Sequence, residues 1–452
     1  MTDPRKLKFP RLEVKPREAT RHVLRNGIVV HAVEDHSLPV VNLGILFRAG
    51  TIHDPADRAG LGSMTATAMR LGGSRLLPGD ALDEEMDSMG SSIDTGMDDD
   101  QFSLYGWTLA RHLPRELELM ASVLREPAFP PEKVELTRLQ ELEMIQRRWD
   151  NPQQVASLQF RRAVYGPSSP WGRLGTAAQA KAVTRDEMVS LHRAFCRPET
   201  AIMTVAGSFE TAALLRDLER FLGDWNPGPA TPAPVPEPGG ALPPGIYLVP
   251  REIGQANIRI GHLSIELDHP DHCPLKLLDM VLGNGTFNSR LFRDIRTKRG
   301  LAYSVWSRIQ PRALVPGTFT IGCGTKYETL DEALPAILGH VKDLRAREAA
   351  DDEVKLAKDQ LDHGLAFEFQ SAWSVAWRAA WYEYSGLPAD WLMREREGVL
   401  AATKADILRV AKAHLHPDKL ILVFVGDPAK CRPALERFGT VRELPIPDQS
   451  SG

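Results

Sequence analysis

The apolar positions change period along this chain, and each change marks an element. In HVLRNGIVVHAVED and PVVNLGILFRAG, β-branched residues alternate with other side chains and the breaks carry Asn, Gly, Asp and Pro, so hairpin strands joined by polar turns are expected. The stretch GLGSMTATAMRLGG, from Gly60 to Gly73, follows as an apolar segment closing on two glycines, which predicts a helix and its end. Further on, LPRELELMASVLRE and PPEKVELTRLQELEMIQRRW repeat their apolar residues at helical spacing. In the second half NIRIGHLSIE reads as strand and CPLKLLDMVLG as helix. Strands first and helices after, within one unit, argue for an α+β fold: an antiparallel sheet covered by helices on one face.

That unit occurs twice. One copy closes with Pro198, the apolar run AIMTVAG ending at Gly207, and a helical segment containing LERFLG. The other closes with Pro417, the run LILVFVG ending at Gly426, and a segment containing LERFG. Between them lies DWNPGPATPAPVPEPGGALPPG, whose prolines favour an extended connector and exclude helix or central strand. The expected organisation is therefore a domain over 1–223, a linker over 224–245 and a homologous domain over 246–452, with Ile202 to Ala206 and Ile421 to Val425 as equivalent buried strands.

Composition narrows the function classes. With 452 residues, 43% hydrophobic and 25% charged, the chain can bury sizeable cores. A formal net charge of -4 gives no general electrostatic case for nucleic acid or an anionic membrane. The four cysteines, Cys196, Cys273, Cys323 and Cys431, are scattered, which indicates free thiols rather than a disulfide framework or a structural zinc site. The N-terminus lacks a secretory h-region, so a cytoplasmic location is expected, or a periplasmic one if a signal peptide has been removed.

The chemistry-bearing segment is NSRLFRDIRTKRGLAYSVWSRI. Asn288 to Lys298 has helical spacing, cations gather in its last turn, and Gly300 supplies a stop. The next residues alternate, placing Leu301, Tyr303 and Val305 on one strand face and Ala302, Ser304 and Trp306 on the other. Arg299 is thus either a helix-dipole partner or a functional cation, and Tyr303 either packing or a functional phenol. Gly283, Asn284, Gly285 and Thr286 form either a peptide-gripping loop or a helix cap and connector. His269, His272 and Cys273 in DHPDHCP read as a polar loop, and Asp98, Asp99 and Asp100 as a solvated turn between strands. None of the thirteen His lies in an H-x-x-E-H.

From NGIVVHAVEDHSLPVVNLGILFRAGTIHDPADRAGLG through MGSSIDTGMDDDQFSLYGWTL to LREPAFP, and again at NSRLFRDIRTKRGLAYSVWSRI, the chain resembles the pitrilysin, insulinase and mitochondrial-processing-peptidase family. The resemblance runs over roughly residues 20 to 440, with RGLAYSV its most specific part. It implies two such units facing across a cavity, as one half of a clamshell. It also implies where the inverted zinc motif would stand: Ser63, Ala66 and Thr67 replace its two His and its Glu, and Met144, with Glu143 beside it, replaces the third ligand. A hydroxyl or a methyl cannot substitute for those groups, so no metal is expected in this chain. In the family an Arg and a Tyr at Arg299 and Tyr303 reach the substrate carbonyl held at the zinc of another domain.

The resemblance therefore implies the zinc-free subunit of a bacterial heterodimeric metallopeptidase. The chain is expected to be inactive alone and active with a zinc-bearing homologous partner, whose H-x-x-E-H carries the cofactor, on an extended peptide substrate. Neither nucleic acid nor membrane is expected as a partner. The alternatives are a non-enzymatic structural subunit of the same fold and a stand-alone peptide-binding clamp.

Overall fold

The computed structural model describes residues 17–226 and 234–446; 227–233, inside the expected proline-rich linker, lie outside the described residues. Among the described residues, twelve strands form two six-stranded sheets. In the first, β1 (Thr20–Val23), β2 (Val29–Glu34), β3 (Val40–Phe47), β4 (Ser92–Met97), β5 (Phe102–Leu109) and β6 (Ala201–Gly207) take the order β1-β2-β6-β3-β5-β4. In the second, β7 (Gly245–Pro250), β8 (Ala256–Leu263), β9 (Ala302–Gln310), β10 (Thr318–Thr325), β11 (Ile421–Gly426) and β12 (Val441–Glu443) take the order β12-β7-β11-β8-β10-β9.

The matching runs AIMTVAG and LILVFVG lead to β6 and β11, which hold the same third position in their sheets. Each follows a short 3-10 turn, Pro198–Thr200 or Pro417–Lys419, where proline fixes the entry angle. The two outer strands β1 and β12 are also equivalent in position but come from opposite chain ends. The sheets are predominantly antiparallel. β6 runs parallel to β2, and β11 parallel to β7, because each late strand returns through helices to the sheet centre.

Both faces of these sheets are covered, where the sequence pattern led us to expect one. Met203 and Val205 of β6 pack into the first half's own core with the helices Leu61–Gly72 and Leu113–Arg125. Ile202 and Ala206, on its other face, pack against Ala380, Tyr384 and Ala376 of the helix Ala372–Tyr384, which belongs to the second half. The exchange is reciprocal: Val155, Ala156 and Phe160 of the helix Pro152–Tyr165, from the first half, pack with Ile421, Val423 and Val425 of β11. Burial on both faces explains why AIMTVAG and LILVFVG are continuous apolar runs rather than alternating ones.

One buried carboxyl in this fold is left without a well-formed hydrogen bond. Glu116, in the helix Leu113–Arg125, is fully buried, and burial raises its pKa from 4.5 to about 7 against the smaller pulls of the Ser91 hydroxyl and the Arg70 charge. The folded state thus holds this proton more tightly than the unfolded chain does, so stability falls as pH rises from about 4.5 through 7. Glu116→Gln is expected to flatten that slope and to add about 2 to 3 kcal/mol at pH 8, read by urea unfolding across pH. A variant with unchanged pH dependence would show that the carboxyl ionises at no cost.

Candidate functional site

A cavity of about 800 Å³ opens between the two halves. Its first-half wall is built around the start of the helix Leu61–Gly72. The Asp54 carboxylate accepts the N–H groups of Gly60 (2.8 Å) and Gly62 (2.9 Å), so a side chain six residues back closes the open helix end. Burial pushes Asp54 up to about 6, opposed by those two amides and by Arg173, whose guanidinium donates to the Asp54 carbonyl. Asp54, Ser63 and Glu141 all line the cavity. Glu141 is buried, with Arg148 3.9 Å away, and its pKa is raised by burial against the Arg148 charge.

Of the positions where the zinc motif would stand, Ser63 reaches this cavity. Ala66 is buried in the core beneath it, its carbonyl accepting from the Thr95 hydroxyl at 2.6 Å, and Thr67 is half-buried. Met144 is 56% exposed and does not line the cavity, and Glu143 pairs with Arg147 at 2.8 Å. The carboxylate that the helix Pro131–Arg147 turns inward is Glu141 instead, on one stripe with Val134, Thr137 and Ile145. A Glu inside an apolar stripe was the signal for it. A hydroxyl, a methyl and a carboxylate paired with Arg148 do not make a zinc site, and Asp54 is committed to backbone amides, so these residues do not fit the metal of the family.

The acidic turn Asp98 to Asp100 is no solvated loop. Asp99 bridges Arg161 (2.8 Å) and Arg312 (3.1 Å), Asp100 faces Arg312 at 3.7 Å, and the Asp100 carbonyl accepts from the Tyr384 hydroxyl at 2.6 Å. Arg312 also stacks over Trp171, with its guanidinium carbon 4.6 Å from the ring centre. The turn is a clasp between the halves, and its partners lie far away in sequence. Burial raises the pKa of Asp98 and Asp100, with neighbouring Asp99 adding to it and Arg312 opposing it.

Arg299 and Tyr303 lie elsewhere, on the second half. The segment Phe292–Lys298 is π-helical rather than α-helical, and Arg299 follows it with its N–H on the Asp294 carbonyl. Its guanidinium is held by Asp294 (3.1 Å) and Glu332 (3.5 Å). The strict alternation expected after it is broken by a β-bulge: Ser304 pairs with Gly324 and Ala302 with Thr325, leaving Tyr303 without a partner. Ala302 therefore joins Leu301 and Val305 in the core, while Ser304 and Trp306 share the opposite face. A bulge re-aims the extra side chain, and Tyr303 is 80% exposed, its ring 5.9 Å from the Arg296 guanidinium carbon and its hydroxyl bonded to none of the described residues.

The glycine segment is packed rather than open. Met280–Asn284 continues the helix His272–Asp279 with a wider turn; Gly283 is buried so close to β9 that a Cβ there would lie 2.3 Å from the Ser307 nitrogen. Gly285 donates its N–H to the Met280 carbonyl, and Asn284 is exposed beside it. Gly283, Asn284 and Gly285 thus form a helix end. His272 pairs with Glu395 at 2.6 Å, and Cys273 is half-buried. His269, Asp271 and His414 place side-chain ligand atoms within 4.8 Å of one another, but Asp271 is held by Arg409 (2.8 Å) and His414 (2.7 Å). No helix among the described residues is long and apolar enough to cross a membrane.

Residues 29–168 match the insulinase (M16) peptidase family, and residues 182–361 match the M16 peptidase inactive domain. Among curated proteins, an uncharacterized zinc protease of Bacillus subtilis is 23% identical over 78% of this chain and 84% of its own length. One from Rickettsia bellii is 22% identical over 76% and 82%. Among solved structures, an M16 inactive-domain peptidase from Pseudomonas fluorescens superposes with a TM-score of 0.80 at 22% identity, over 90% of this chain and 98% of that one. A protease from Helicobacter pylori gives 0.78 at 18%, over 90% and 99%.

Proposed function

Because the chain belongs to the insulinase (M16) family of peptidases and lacks its zinc-binding residues, we propose that it is the metal-free subunit of a heterodimeric zinc peptidase. The observation that carries this reading is Tyr303: a large aromatic, 80% exposed on a bulged strand, with a hydroxyl that bonds to none of the described residues. Together with Arg299, four residues earlier in the chain, it offers a phenol and a guanidinium, both hydrogen-bond donors. Facing a partner's site, they donate to the carbonyl oxygen of an extended peptide as that oxygen gains charge. The homologous partner brings the H-x-x-E-H and the zinc. Residues 1–223 and 246–452 act as the two peptidase-like domains, joined by 224–245. Outer strand β4 has no further strand beside it in its sheet among the described residues, which suits pairing an extended peptide.

The purified chain is expected to hold no stoichiometric zinc and to hydrolyse no peptide. Mixed with a zinc-bearing family member of the same genome, it should co-elute and give hydrolysis that a chelator abolishes. One tightly held zinc per isolated chain, with activity lost on its removal, would refute the proposal.

A further inference from the structure

Six arginines line the central cavity, and they are not compensated alike. Arg161 and Arg312 face Asp99, Arg148 faces Glu141, and Arg173 feels Asp54. Arg259 and Arg308, on the second sheet, have no carboxylate within ion-pair distance among the described residues. Arg259 is only 9% exposed; its guanidinium donates to the Ser157 hydroxyl (3.2 Å) and to the carbonyls of Ile258 (2.9 Å) and Gln153 (3.4 Å), all neutral groups. A buried cation with neutral partners alone is costly, and an anion arriving from the cavity offsets that cost. The carboxylate that senses Arg308, Asp279, is buried behind the strand and already accepts from Ser307 and the Ile309 N–H.

Strand register assembles these groups. Gly322 of β10 pairs with Arg259 on one side and Trp306 on the other, and a Cβ at Gly322 would lie 2.3 Å from the indole. The missing side chain lets Trp306 lie across β10 toward Arg259, whose guanidinium carbon is 5.2 Å from the ring centre. Arg308, two residues along the same face, stands 6.0 Å from that ring. The indole thus holds two cations whose charges neither cancel nor separate. The Thr318 and Thr320 hydroxyls lie beside Arg308 on the cavity wall.

We infer that Arg259, Trp306 and Arg308 form a carboxylate-binding subsite, which makes the preferred ligand of this cavity an acidic peptide. The inference rests on the peptide-holding role proposed above and specifies its chemistry. Guanidinium groups bind carboxylates through charge-assisted hydrogen bonds, which an uncharged amide cannot match. The carboxylate comes either from an Asp or Glu side chain or from the peptide's C-terminus.

Three fluorescein-labelled peptides separate these sources when titrated against the whole chain by fluorescence anisotropy at low and high salt. One carries a central Glu and an amidated end, one a central Gln and an amidated end, and one a central Gln and a free carboxylate. The Glu peptide or the free-carboxylate peptide is expected to bind at least about ten-fold tighter than the uncharged one, the stronger of the two naming the source. Arg308→Gln, an exposed change, should cut that preference to under about three-fold, and Arg259→Met should do the same if it folds. Equal binding of all three peptides, no binding of any, or a preference that survives Arg308→Gln overturns the inference. Since the measurement needs no partner and no catalysis, its failure leaves the role of Tyr303 untouched.

Discussion

Replacing Tyr303 by Phe in the reconstituted pair is expected to lower kcat by about ten- to a thousand-fold, the loss that follows removal of one transition-state donor. The structure makes this a clean test. The Tyr303 hydroxyl has no partner among the described residues, so its removal breaks no bond within the fold, and the ring that remains keeps its place beside Arg296. Folding and pairing should therefore survive while chemistry suffers. Arg299→Ala should also lower kcat/KM, with weaker ground-state binding as well, because a cation contacts the substrate before reaction. Its effect is mixed, since Asp294 and Glu332 lose their partner at the same time. An unchanged kcat in the Tyr303→Phe pair would exclude the shared-site mechanism and favour a structural subunit.

Arg312→Ala is expected to cost about 2 to 4 kcal/mol of stability, because it removes one side of a partly buried charge cluster and leaves the other side unpaired. Asp99 keeps Arg161, but Asp100 loses the cation it faces, and Trp171 loses the guanidinium stacked on it. The range sits below that of a fully buried pair, since a quarter of the Arg312 side chain meets solvent. Urea unfolding followed by tryptophan fluorescence reads the loss. Adding Asp100→Asn to Arg312→Ala should restore part of it, because the carboxylate that lost its cation is then neutral while Asp99 keeps Arg161. If Arg312→Ala is as stable as the parent, the clasp is ornamental and the halves are held by their apolar contacts.

The repeated unit could be read along the chain because AIMTVAG and LILVFVG obey local rules: a proline-fixed entry, β-branched residues and a glycine exit. The RGLAYSV segment was equally visible, yet its geometry was not. Alternation predicts a regular strand, and the bulge at Tyr303 depends on how β10 pairs with β9. The clasp at Asp99 escaped for a different reason, since an acidic triplet near a turn looks solvated until Arg161 and Arg312 arrive from distant parts of the chain. The helices Pro152–Tyr165 and Ala372–Tyr384 announce an apolar face but not which sheet will receive it. Glu141 was legible in principle, as a carboxylate on a stripe otherwise made of Val134, Thr137 and Ile145.

The helix exchange also sets an order of events during synthesis. The first sheet is complete once β6 has left the ribosome, but its cover, Ala372–Tyr384, is translated only after most of the second sheet. Until then Ile202 and Ala206 face water, and the sheet presents an uncovered apolar surface to every other nascent chain nearby. The helix Pro152–Tyr165 waits meanwhile with Val155 and Phe160 bare, because β11 is made later still. The nascent first half thus carries two uncovered apolar surfaces until the helix Ala372–Tyr384 and then β11 have been made.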